Sequence, residues 1–119
     1  MKLKVLEQEF SVCKVNAFPA GMGGVWFAAQ TDEELSLVCE SAFAPADADE
    51  RSDGWHAMRI EGVLDFSLVG ILAGISDVLA RAQVGIFAVS TYNTDYILVK
   101  KSDLSRAVQA LRAAGYEVL

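Results

Sequence analysis

A chain of 119 residues has room for one ordinary domain or two very small ones that share a core. Its hydrophobic fraction of 53% with only two prolines excludes a disordered composition and suggests buried faces between copies. The net charge of −6, with no basic stripe anywhere, leaves phosphate backbones nothing to bind, so nucleic acid is excluded as a partner.

Met1 leads directly into Lys-Leu-Lys-Val, with no apolar run and cleavage site behind it, so no secretory signal is expected. The first half reads as β-rich. Lys2–Glu7, Glu9–Val15, Val25–Gln30 and Leu35–Cys39 are short, apolar or alternating runs. The glycine-rich stretch from Phe18 to Gly24 breaks the first pair from the second, and Thr31-Asp32-Glu33-Glu34 reads as a hairpin connection. Cys13 and Cys39 stand alone in strand-like segments without a Cys-x-x-Cys pair. They are expected to be buried thiols, with neither a disulfide nor a metal site. Ala44–Gly54, with Pro45, Asp47, Asp49, Glu50 and Asp53, reads as a surface linker. The acidity is concentrated in the first half: the ten acids of residues 1–55 face only Lys2, Lys4, Lys14 and Arg51, whereas the remaining residues balance. Such a surface favours solubility and cationic ligands.

The rhythm changes after Trp55. His56–Gly62 reads as a strand. Leu68, Ile71, Leu72, Ile75, Val78, Leu79 and Ala82 then recur at the spacing of one helical face, with Asp65 and Ser67 placed to cap its start. Val84–Ser90 is a continuous β-favouring run, Thr91–Thr94 a turn and Asp95–Val99 the return strand. Ser102 is expected to cap a second helix carrying Leu104, Ala107, Val108 and Leu111 on one face. Gly115 stops it, and Tyr116–Leu119 forms a last strand. The longest apolar stretch, Phe66–Val78, is interrupted by Ser67, Gly70, Gly74, Ser76 and Asp77 and falls short of a membrane span. A cytoplasmic protein without membrane partners is expected.

The order β-α-β-β-α-β over residues 56–119 is the α+β, ferredoxin-like plan, with residues 1–55 as a separate β-rich subdomain. Right-handed crossover places the C-terminal ends of the strands flanking the first helix on one edge. The Gly62–Ser67 loop, the helix start and the Thr91–Thr94 turn should therefore meet. A helix N-terminus suits a carboxylate, and Asp65 and Asp95 suit an ammonium group, so the edge fits a free amino acid. Gly62 and Gly70 admit close approach of a ligand, and the hydroxyls of Ser67, Ser90, Thr91 and Thr94 add adaptable partners. Capping alone also explains Asp65 and Ser67, and turn-making alone explains Thr91, Asn93, Thr94 and Asp95.

The strings go further than the spacing. Met58-Arg59-Ile60-Glu61-Gly62-Val63-Leu64-Asp65-Phe66-Ser67-Leu68-Val69-Gly70-Ile71-Leu72 and Ile86-Phe87-Ala88-Val89-Ser90-Thr91-Tyr92-Asn93-Thr94-Asp95-Tyr96-Ile97-Leu98-Val99 resemble the ACT domains of CASTOR-type arginine sensors and their bacterial relatives. More distantly they resemble the regulatory domains of aspartate kinases. Glu9–Val15 and Asp32–Cys39 are similar to the reduced ACT-like partner that precedes this module in that family. The resemblance implies amino-acid binding at an interface between ACT domains. The loop residues concerned are Leu64, Asp65, Phe66, Ser67, Leu68, Val69 and Gly70, and the hairpin end is Ser90 to Asp95. The animal sensors carry four such units in a chain and this one offers two at most, so an equivalent interface requires a homodimer.

Catalysis has little to draw on. His56 is the only histidine and reads as a satisfied strand residue. Neither cysteine has a basic residue placed to lower its pKa, since Lys14 next to Cys13 in a strand points to the opposite face, and no phosphate loop, dinucleotide fingerprint or metal cluster is present. No catalytic residue, metal or cofactor is expected. Asp65 and Asp95 as paired carboxylates remain the one enzymatic alternative, and a purely structural oligomerisation module the other.

Overall fold

The computed structural model describes residues 1–119. Its elements are β1 (Lys2–Val15), β2 (Trp26–Gln30), β3 (Leu35–Glu40), a 3₁₀ turn (Ser41–Phe43), β4 (Glu50–Ile60), α1 (Ile71–Arg81), β5 (Phe87–Ser90), β6 (Asp95–Lys100), α2 (Lys101–Ala113) and β7 (Glu117–Val118). The chain divides into two compact units, one of Met1–Glu7 with His56–Leu119 and one of Gln8–Trp55. Strands β1 and β4 contribute residues to both.

The larger unit is the α+β plan expected from the sequence, β4-α1-β5-β6-α2-β7. Helices α1 and α2 bury Ile75, Leu79, Ala107 and Leu111 against Met58, Ile60, Ile97 and Val99 of the sheet. These are the stripes read from the 3.6-residue period. Each of these buried side chains other than Ala107 contributes roughly 1.5–3 kcal/mol of burial, which favours the helices over their intrinsic propensity. One strand pairing differs from the plain ferredoxin-like plan. The last strand, β7, pairs with the start of β1, in parallel, with Lys2 opposite Glu117 and Leu3 opposite Val118. The first seven residues therefore belong to this unit, between β4 and β7.

Helix boundaries differ from the periodicity at their starts. α1 begins at Ile71, so Leu68 lies ahead of it, and its N-cap is Gly70 in the left-handed region at φ 80° with no side-chain cap. Asp65 instead accepts the amide of its own neighbour Ser67. Ser102 lies inside α2, whose N-cap is Lys100. At the other end the expectation holds. Gly115 is left-handed at φ 98°, and the amides of Gly115 and Tyr116 bond to the carbonyls of Arg112 and Leu111, closing a Schellman motif.

The smaller unit contains no α-helix. Cys13, Val15, Leu37 and Cys39 form its buried core, with Leu35 of β3 and the loop residues Met22, Ala44 and Ala48 packed against them. The linker expected at 44–54 is partly strand, since β4 starts at Glu50. Both cysteines are buried free thiols. Burial pushes the Cys39 thiol up to about 11, with Cys13 beside it as the next cause, and raises Cys13 in the same direction.

The two units repeat one hairpin. β2 and β3 pair antiparallel from Trp26–Cys39 to Gln30–Leu35, and β5 and β6 from Phe87–Leu98 to Ser90–Asp95. The turns match: Thr31 N donates to the Glu34 carbonyl at 2.9 Å, and Thr91 N to the Thr94 carbonyl at 2.9 Å. In each turn the threonine hydroxyl also donates to that carbonyl. Phe27-Ala28 of one hairpin stands where Phe87-Ala88 stands in the other.

Candidate functional site

Within the larger unit, β4 ends at Ile60 and the chain runs through an irregular loop to Gly70 before α1 begins. The loop stays irregular because the left-handed glycines at its two ends, Gly62 and Gly70, break both the strand and the helix. It is fastened to the β5–β6 turn at three places. Leu64 N donates to the Asn93 carbonyl at 2.7 Å. Thr94 Oγ1, itself buried, donates to the Ile60 carbonyl at 2.7 Å. Phe66 stands edge-on to Tyr92, with ring centroids 5.0 Å apart and planes at 79°.

Between loop, turn and helix start lies an open cavity of about 340 Å³. This is near the lower end of the roughly 300–1,000 Å³ of small-molecule sites, a size suited to a metabolite. Of the residues singled out in sequence, Leu64, Asp65, Phe66, Leu68, Gly70, Ser90, Thr91, Thr94 and Asp95 line it. Gly62, Ser67 and Val69 do not. Ser67 acts through Asp65, and Val69 is exposed to solvent. Ile71, Leu72 and Ala73 also line the cavity and were not singled out, and Tyr92 and Asn93, which fell inside the Ser90–Asp95 hairpin end without being given a role, line it too. Ile71 and Leu72 read only as core stripe, although the first turn of a helix that starts at an edge presents its amides there whatever its side chains are.

The electrostatics follow from the backbone. The first amides of α1 have no intrahelical acceptor, Gly70 supplies no side-chain cap and the first turn holds no acid, so the positive end of the helix dipole is left for an anion. Against it stand two carboxylates. The hydroxyl and amide of Ser67 hold the Asp65 carboxyl below the usual carboxylate range. Asp95 accepts the Ser90 hydroxyl at 2.6 Å. A molecule with a carboxylate next to an ammonium group matches this pairing of poles.

Elsewhere the inventory is sparse. No group of three or more His, Cys, Asp or Glu is placed to hold a metal ion. His56 is not the satisfied residue its strand position suggested: its Nε2 is buried without a hydrogen-bond partner. No helix is long and apolar enough to cross a membrane.

Comparison with known proteins places this geometry in a family. The family model described as ACT domain matches residues 50–113. Among solved structures, a protein from Agobacterium tumefaciens has a TM-score of 0.90 at 32% identity, covering 99% of this chain and 91% of the other. The aspartate kinase of Clostridium acetobutylicum, an allosteric enzyme, has a TM-score of 0.71 at 15% identity, with 94% of this chain and 34% of the other covered. The ligand-free regulatory subunit of aspartate kinase from Thermus thermophilus gives 0.64 at 10% identity, covering 95% and 96%. At such identities the two kinases share the fold with this chain.

Proposed function

This chain belongs to the ACT-domain family, and on that premise we propose that it is a non-catalytic regulatory module that binds a free amino acid at the edge formed by the β4–α1 loop and the β5–β6 turn. One observation carries the reading: the uncapped start of α1 opens into a cavity of about 340 Å³ whose other pole is carboxylate. The α-carboxylate sits on the free amides of Ile71–Ala73, and Asp95 takes the α-ammonium. Asp65 and Asp95 as an acidic pair favour a basic amino acid such as arginine or lysine within this class, although the same carboxylates hold any α-ammonium group; the walls of the cavity favour a different side chain.

The active form is a homodimer in this reading. Val63 and Val69 are exposed outside the cavity lining, on the loop that in ACT domains faces a second domain, and a second copy would cover them. Binding in the cytoplasm would then be read out by a client enzyme or transporter through that interface.

A thermal-shift screen of the twenty amino acids tests the proposal. A ligand bound only by the folded state adds about 2.7 kcal/mol at a hundredfold excess over Kd, which in a domain of this size is a shift of several degrees. Stabilisation by one or a few amino acids is expected. No shift at millimolar concentration with any of them would leave the structural oligomerisation module as the better reading.

A further inference from the structure

The polar side chains around the cavity are largely spent on the protein itself. Thr91 Oγ1 donates to the Thr94 carbonyl at 3.1 Å, Thr94 Oγ1 to the Ile60 carbonyl, Ser90 Oγ to Asp95, and Asp65 accepts Ser67. What remains is the first turn of amides on α1, the spare oxygen of Asp95, the exposed polar tips of Asp65, Tyr92 and Asn93, and an apolar wall. The amides and Asp95 suffice for the common end of an amino acid. They leave nothing polar and buried to recognise the far end.

The wall has an unusual cost. Phe66 is 74% exposed, Tyr92 79% and Leu68 50%, and all three line the cavity. Large apolar side chains held at a concave site and open to water gain by covering. The aromatic pair is already held edge-on, so covering it requires little further ordering.

We propose that the ligand carries a large apolar side chain, aliphatic or aromatic, seated against Phe66, Leu68 and Tyr92, and that these three residues set the specificity of the site. This rests on the reading of the edge as an amino-acid site. Charge supports the choice against each alternative. No lysine or arginine lines the cavity, and Asp65 and Asp95 repel an acidic side chain. The one carboxylate left for a basic side chain is Asp65, which is solvent-exposed and turned to Ser67, where an ion pair gains little. Glycine and alanine leave the wall wet.

Isothermal titration of the full chain with leucine, isoleucine, methionine and phenylalanine, beside glycine, arginine, lysine and aspartate, tests this directly. Saturable binding of one or more of the large apolar amino acids is expected, tighter than any of the others. Phe66→Ala, Leu68→Ala and Tyr92→Ala should each weaken it about tenfold or more. The side chains are exposed, so the variants should melt near the parent temperature, which circular dichroism checks. Tighter binding of arginine or lysine overturns the specificity and leaves the amino-acid site standing. No binding of any amino acid overturns both.

Discussion

The amide of Leu64 donates to the carbonyl of Asn93 at 2.7 Å, so the loop leaving β4 and the turn between β5 and β6 form one wall of the cavity although they are far apart in sequence. Thr94 anchors the same wall from beneath, its hydroxyl buried on the Ile60 carbonyl. Thr94→Val keeps the shape and removes the donor, leaving that carbonyl unpaired. Denaturant unfolding should show a loss of about 1–3 kcal/mol, with Thr94→Ser losing less. A loss below a few tenths would mean that the hydroxyl does not anchor the turn.

Helix α1 ends in a Schellman motif whose left-handed position is held by Gln83 at φ 59°, with Val84 N bonded to the Leu79 carbonyl and Gln83 N to that of Ala80. Arg106 of α2 compensates by donating to the carbonyls of Ala82 and Gln83 at 3.0 and 3.2 Å. Gln83→Gly removes the left-handed strain against a smaller entropy cost and should raise stability by about 0.5–1 kcal/mol. Arg106→Ala should lower it by about 1 kcal/mol, because two orphan carbonyls lose their donor. Thermal melts of the two variants should move in opposite directions.

His56 Nε2 is buried and unpaired. Its desolvation is uncompensated, so His56→Leu should leave stability unchanged or raise it by up to about 1–2 kcal/mol. A large loss would show that the imidazole makes a stabilising contact in solution.

Burial lifts the Cys39 thiol from 9.0 to about 11. A raised pKa means that the folded state holds the proton more tightly than the unfolded chain. The contribution is therefore fully present below about pH 9 and is lost as pH rises towards 11. Both thiols should resist iodoacetamide in the folded protein at pH 8 and react on denaturation, and Cys39→Ala should flatten the alkaline limb of the stability curve.

How much of this was legible depended on whether the deciding contact was local. Ile75, Leu79, Ala107 and Leu111 are buried as their helical spacing required, because periodicity alone selects the inward face. Asp65 and Ser67 looked like a helix cap and form a turn of their own, because the left-handed Gly70 starts the helix three residues later than Leu68 suggested. The pairing of β7 with β1 was not visible: two residues of strand carry no mark of which neighbour they choose. Tyr92 and Asn93 read as turn residues, and only their distant partners Phe66 and Leu64 make them part of the cavity.

The central claim, a free amino acid at this edge, is tested most directly by recording amide chemical shifts of isotope-labelled protein while the stabilising amino acid is added. Saturable shifts confined mainly to residues 62–73 and 90–95, with the amides of Ile71, Leu72 and Ala73 among the largest, are the expected result. Shifts concentrated elsewhere, or none with any of the twenty amino acids, would contradict it.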